Sequence, residues 1–261
     1  VLAAGLGLNP SRVASLEAGI PKEVGVFGVN KACGSGLKAA ILAAQSIMLG
    51  DAEIIVAGGM ESMSMAPYLL KKARYGVRMG HDQLLDSMLL DGLTCPITLV
   101  PMGVTAENIA AKYGISREEQ DEFAAESQQK AGEAIKSGKF KTEIVPVQVP
   151  GAKKGEVFSF DTDEHARPDT KAETLAKLRP AFKPDGGSVT AGNASGINDG
   201  AAAVVVMSDT RAKALGLTPL ATIRSYAAVG VDPSIMGMGP WPACENALAR
   251  GKLRKEEIDL W

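Results

Sequence analysis

The sequence predicts an α/β fold, layered, with a subdomain inserted into its first half. Three observations carry this. Short apolar runs alternate with helical stretches near both ends of the chain. Residues 61–187 lose that alternation and fill with Met, Lys, Arg, Gly and Pro. One helix, over residues 35–49, is small or apolar on every face apart from Lys38, Gln45 and two serines, and such a helix belongs between layers rather than on a surface.

In chain order, residues 24–29 (Val-Gly-Val-Phe-Gly-Val) read as a strand, residues 35–49 as the apolar helix, and residues 52–57 as a second strand centred on Ile54-Ile55-Val56. Gly50-Asp51 ends the helix between them. A β-α-β order implies parallel strands. In the inserted segment, helices are expected at 103–112 and 117–136, the second opened by a capping box of Ser116 and Glu119. Extended pieces follow at 143–149 and 156–160, and Thr170 with Glu173 reads as another capping box. Residues 188–196 form a polar, glycine-rich turn. Residues 201–207 (Ala-Ala-Ala-Val-Val-Val-Met) do not alternate and so read as a strand buried on both faces. Helix 208–215, an extended run 220–229 and helix 243–250 complete the pattern.

Composition narrows the function classes. With 28 Lys plus Arg against 30 Asp plus Glu, the net charge of −2 argues against a nucleic-acid binder, which is usually strongly basic. The 46% apolar content over 261 residues supports a large core in one or two domains. No apolar run is expected to reach the ~18 residues a membrane helix needs. The three cysteines are far apart and odd in number, so neither a disulfide framework nor a CxxC metal site is expected, and the reducing cytoplasm is the expected compartment. The chain starts at Val1 rather than Met, and Ile258-Asp259-Leu260-Trp261 reads as the opening of a strand. Both ends are therefore expected to be cuts through a longer protein, with any organellar targeting peptide upstream.

The candidate chemistry centres on Cys33, which stands between the strand at 24–29 and the apolar helix. Free N–H groups and the dipole at a helix start favour an anion, which suits a thiolate. Gly34 and Gly36 would let backbone N–H groups approach a bound oxygen closely, as an oxyanion hole requires.

Val29-Asn30-Lys31-Ala32-Cys33-Gly34-Ser35-Gly36-Leu37-Lys38-Ala39 resembles the nucleophile motif of the thiolases, the acetyl-CoA acetyltransferases in particular. Gly58-Gly59-Met60-Glu61-Ser62-Met63-Ser64 resembles that family's next motif. Tyr75-Gly76-Val77-Arg78-Met79-Gly80 and Met102-Gly103-Val104-Thr105-Ala106-Glu107-Asn108 resemble its loop domain. Leu178-Arg179-Pro180-Ala181-Phe182 and Thr190-Ala191-Gly192-Asn193-Ala194-Ser195-Gly196-Ile197-Asn198-Asp199-Gly200 follow in the family's order.

The resemblance implies an α/β/α/β/α layering. Residues 1–64 and 188–215 would form an N-terminal half, 65–187 a CoA-binding loop domain, and 216–261 the beginning of an incomplete C-terminal half. It implies condensation of two acetyl-CoA to acetoacetyl-CoA plus CoA, and the reverse thiolysis, through an acetyl-cysteine at Cys33, with no cofactor or metal beyond the CoA of the substrate, and a homodimer or homotetramer without nucleic acid or membrane. A 3-ketoacyl-CoA thiolase of longer chain preference and a non-catalytic CoA-binding fragment are the alternatives. By resemblance Ser195 meets the pantetheine amide, with Ala191, Phe182 and Ile197 lining the same tunnel. Leu93 and Met102 contact the pantetheine, Met236 the acyl pocket, and Arg167 and Thr174 the nucleotide end. The family's Gly-His-Pro histidine, late catalytic cysteine and Asn-Glu-Ala-Phe asparagine have no match, so residues 1–261 alone are expected not to run the condensation. His81, His165, Cys95 and Cys244 stand in no such motif, and Pro101 replaces a histidine usual before Met-Gly.

Overall fold

A computed structural model describes residues 1–261, which divide into two compact units. One takes Val1–Met102 and Ile197–Trp261, the other Gly103–Gly196. Residues 65–102 thus cluster with the first unit and residues 188–196 with the second. In chain order the elements are α1 (Pro10–Glu17), α2 (Ser35–Leu49), β1 (Ile54–Glu61), β2 (Tyr68–Leu69), β3 (Leu85–Asp86), α3 (Met102–Tyr113), α4 (Arg117–Lys136), β4 (Val147–Pro150), β5 (Val157–Phe160), α5 (Ala172–Leu175), β6 (Gly200–Met207), α6 (Asp209–Ala214) and α7 (Pro240–Gly251).

In the first unit, β1 pairs β6 antiparallel, from Ile54 opposite Met207 to Glu61 opposite Gly200. Helix α2 packs on both strands and buries Ile41 and Ala43, while β1 buries Ala57. Gly50 ends α2 in the left-handed conformation (φ 83°), and its N–H and that of Asp51 take the carbonyls of Ile47 and Ser46.

The structure departs from the sequence pattern at several places. The strand at 24–29 and its parallel partnership do not form, because side chains of α1 take the carbonyls a neighbouring strand would need. Arg12 donates to the Val24 and Lys22 carbonyls at 2.7 and 2.6 Å, and Asn9 Nδ2 to that of Val26 at 3.2 Å. The extended run at 220–229 joins no ladder either. Ser225 Oγ donates to the Ala247 carbonyl of α7, and the Tyr226 hydroxyl accepts from Gln45 of α2. β6 is not buried on both faces: Val204 and Val205 are 53% and 61% exposed. Nor is α2 enclosed by sheet on two sides, since Leu37 and Met48 are 71% and 78% exposed. An unalternating apolar pattern reports that both faces are meant to be covered, and here Val204, opposite buried Ala57 on the α2 side, and Val205, on the other side, both stay exposed, so α2 covers its face of the β1–β6 ribbon only in part.

By length and composition the window Ala32–Leu49, of mean hydropathy 1.3, also reaches what a membrane-crossing helix needs, contrary to the expectation from sequence. Its helical part, Ser35–Leu49, has 15 residues and is about 22 Å long, short of the ~30 Å hydrocarbon core.

In the second unit, α4 carries the expected capping box: Ser116 Oγ accepts from Glu119 N–H, and Glu119 accepts from Ser116 N–H at 2.7 Å. The box expected at Thr170 does not form. Thr170 Oγ1 donates backwards to the Arg167 carbonyl at 2.7 Å, and α5 starts from Lys171 without a side-chain cap. Val147–Pro150 and Val157–Phe160 pair as a short antiparallel hairpin.

Candidate active site

The Cys33 loop is built by short-range hydrogen bonds. Ser35 Oγ donates to the Ala32 carbonyl at 2.6 Å and accepts from Lys31 N–H at 2.8 Å, while Asn30 Oδ1 accepts from Ala32 N–H at 2.9 Å. The result is a tight arch, with Ala32 at φ 46°, that ends at Gly34, the residue capping α2. Cys33 sits on this arch, exposed, immediately before the helix. Gly36 in the first turn of α2 lies against Gly59 of β1: a Cβ on Gly59 would stand 3.2 Å from the Gly36 Cα. A Cβ on Gly58 would stand 2.4 Å from the Ala202 carbonyl oxygen of β6. The Gly58-Gly59 pair therefore seats the helix start on one side and the neighbouring strand on the other.

At the far end of the ribbon, Asp199 accepts from Ser62 Oγ at 3.2 Å, from Ser64 N–H at 3.0 Å and from Ser64 Oγ. The Ser64 hydroxyl, with the Ser64 N–H, holds this carboxyl below its ordinary range. Of the other expected residues in this unit, Leu93 closes a π-helical turn, Met88–Leu93, a geometry common at functional sites. Met102 opens α3, Met236 lies exposed in the 3₁₀ segment Pro233–Met238, and Ile197 is exposed just before β6. Cys95 is buried in a turn closed by Cys95 N–H to the Val100 carbonyl (2.9 Å) and Leu99 N–H to the Cys95 carbonyl (2.8 Å), a structural setting. Cys244 is exposed on α7.

In the second unit the 188–196 turn carries Ala191 and Ser195, both exposed. Phe182 reaches the same region, because Ala181 N–H donates to the Val189 carbonyl at 2.8 Å. The Phe182 ring rests on Gly103, where a Cβ would lie 2.1 Å from a ring carbon. Gly103→Ala is therefore expected to displace Phe182, costing about 1–3 kcal/mol. Thermal unfolding of Gly103→Ala beside Gly103→Ala/Phe182→Leu checks this, with the double variant recovering part of the loss. Arg167 and Thr174 are exposed and anchored elsewhere: Arg167 N–H donates to Gln128 Oε1 of α4 at 2.7 Å, and Thr174 lies in α5.

Sequence reasoning assigns no role to Glu107, although it lies in the 102–108 motif. Its carboxylate is buried and accepts Ser188 N–H and Oγ at 2.9 Å and Val189 N–H at 2.8 Å. Burial pushes this carboxyl up, but the hydrogen bonds from Val189 and Ser188 outweigh it and hold it below the ordinary carboxylate range. Because the folded value lies below the unfolded one, the stabilisation is complete above the ordinary value of about 4.3 and is lost as pH falls through the folded value. Urea midpoints of the protein and Glu107→Gln are expected to differ most above about pH 5 and to converge as pH drops below about 4. No group of three or more His, Cys, Asp or Glu side chains is placed to hold a metal ion.

The thiolase N-terminal domain model matches residues 1–210, and the thiolase C-terminal domain model matches residues 217–261. The chain belongs to the thiolase family. It is 58% identical over 260 residues to an acetyl-CoA acetyltransferase of Pseudomonas aeruginosa, covering 100% of this thiolase chain and 66% of that protein. It is 56% identical to a probable acetyl-CoA acyltransferase of Staphylococcus epidermidis, again over 66% of that protein. Among solved structures, the acetyl-CoA acetyltransferase from Syntrophomonas wolfei matches with a TM-score of 0.94 at 46% identity, covering 100% of the chain and 64% of that structure. The Bacillus anthracis acetyl-CoA acetyltransferase matches at 0.93 and 45% identity, over 99% of the chain and 65% of that structure. The expected α/β thiolase fold is thus the observed one, and this thiolase chain spans just under two thirds of the length of these relatives.

Proposed function

We propose that the protein is an acetyl-CoA C-acetyltransferase acting through an acetyl-cysteine at Cys33. The single observation that supports this most is the exposed Cys33 on a hydrogen-bonded arch at the glycine-capped start of α2, inside the nucleophile motif. The name of the 58%-identical relative, acetyl-CoA acetyltransferase, points to the same reaction. The Cys33 thiolate attacks the acetyl-CoA carbonyl carbon. The tetrahedral oxyanion collapses, the CoA thiolate leaves, and acetyl-Cys33 remains. A second acetyl-CoA, having lost an α-proton to a base, attacks that thioester through its α-carbon. A new carbon–carbon bond forms, the Cys33–acyl bond breaks, and acetoacetyl-CoA is released with the thiolate restored. Backbone N–H groups at the start of α2 favour the oxyanion in both steps. Ser195, Ala191, Phe182, Ile197, Leu93 and Met102 belong to the CoA contact in this reading, Met236 to the acyl pocket, and Arg167 and Thr174 to the nucleotide end. No further cofactor takes part, and the protein assembles as a homodimer or homotetramer in a reducing compartment.

The test is incubation with acetyl-CoA and with longer acyl-CoAs, followed by peptide mass mapping. Acetyl on Cys33, formed faster than longer acyl adducts, is expected. Acyl groups elsewhere with Cys33 free would overturn the reading.

A further inference from the structure

Two carboxylates of the second unit are buried: Glu107 on α3 is 8% exposed and Asp121 on α4 is 2% exposed. Charges in such places cost free energy unless fully paired. Both spend their pairing on one segment. Glu107 takes the N–H groups of Ser188 and Val189. Asp121 Oδ1 accepts from Asn193 Nδ2 at 2.9 Å, while its Oδ2 is fixed by Arg117 Nε at 2.7 Å. Asn193 is thereby aimed back into its own turn. Its Oδ1 accepts Thr190 N–H at 2.7 Å and its Nδ2 also donates to the Ser188 carbonyl at 3.0 Å. Arg117 is in turn held by the Leu175 and Leu178 carbonyls at 2.7 and 3.1 Å. The backbone from 188 to 193 therefore meets an anchored partner at four of its polar groups, and Ser195 follows two residues later.

We infer that Asp121, acting through Asn193, and Glu107 are positioning residues that hold the 188–193 turn in the shape that presents Ser195 to an acyl-CoA. This rests on the CoA reading of Ser195 given above. Neither carboxylate touches the ligand. Each removes freedom from a glycine-containing turn that would otherwise have to be ordered when the ligand binds.

The experiment has two readouts on the 261-residue chain: CoA affinity by calorimetry, and amide hydrogen exchange by mass spectrometry over 186–197, α3 and α4. Asn193→Ala removes no charge and leaves Asp121 its Arg117 partner, so α4 is expected to stay folded. It is expected to speed exchange in 186–197 at least tenfold while α3 and α4 stay protected, and to weaken CoA binding about tenfold or more. A double-variant cycle separates positioning from mere stability. Asp121→Ala is expected to weaken CoA binding alone, yet to add little once Asn193 is alanine. Exchange in 186–197 unchanged in Asn193→Ala overturns the inference, and so does a fully additive cycle. If the unsubstituted chain binds no CoA, the reading of Ser195 fails separately, and the exchange result alone decides whether the carboxylates hold the turn.

Discussion

Replacing Gly58 by alanine is expected to destabilise the protein by about 3 kcal/mol or more, at the upper end of overpacking costs. A methyl there would stand 2.4 Å from the Ala202 carbonyl oxygen and 3.2 Å from the Ala203 Cα, both backbone atoms of the paired strand. A flexible side chain could swing away, but a strand backbone yields only by breaking its ladder. The pairing of Gly58 with Ala203 lies mid-register, so the disturbance spreads in both directions. In a chain of this size the loss corresponds to a fall in Tm of roughly 6–12 °C. Circular-dichroism melting tests it, with Gly200→Ala as the control. Gly200 lies in the same ribbon, and a methyl added to it would meet nothing within 4 Å, so its substitution should leave Tm nearly unchanged. Equal melting temperatures for the two variants would refute the close-approach argument.

Cys33→Ser is expected to abolish acetyl uptake from acetyl-CoA while leaving CoA affinity within about twofold. Loss of a nucleophile can cost roughly 10⁶ in rate where the enzyme works through it. Serine keeps the size and position of the side chain, but at neutral pH its hydroxyl gives far less anion than a thiol. Cys33 takes part in none of the hydrogen bonds that shape its arch, which run through Lys31, Ala32, Ser35 and Asn30, so the arch survives the exchange. Intact-mass spectrometry after incubation with acetyl-CoA measures uptake, and calorimetry with CoA measures the ligand side. Undiminished acetylation of Cys33→Ser would remove Cys33 from the mechanism.

The helices are the most legible part of the fold. α2 runs over the residues its apolar pattern marks, and α4 starts at the Ser116–Glu119 box, because caps and periodicity are local properties. The strands expected at 24–29 and 220–229 fail because a strand needs a partner, and no local pattern reveals that Arg12, Asn9 or α7 will claim the carbonyls first. The exposure of Val204 and Val205 escapes the sequence for a related reason: composition shows what a face prefers, not what lies against it. In the site, Cys33 is legible from its glycines and position. Asp121 is not, since an aspartate near Glu118, Glu119 and Glu122 reads as one more solvated charge complementing a helix start. Only the distant Asn193 shows that it points inward.

The left-handed conformation of Ala32 has a consequence for how position 32 tolerates change. An L-residue with a Cβ pays roughly 1–2 kcal/mol to sit there, a cost that glycine would escape. Glycine would also enlarge the unfolded ensemble and unlock the torsion that fixes where the next residue, Cys33, stands. β-Branched residues would suffer more strain than alanine at the same torsion. The position therefore admits few occupants. Alanine is the compromise, carrying a small, permanent ground-state strain in exchange for a backbone that holds Cys33 in one place on its arch.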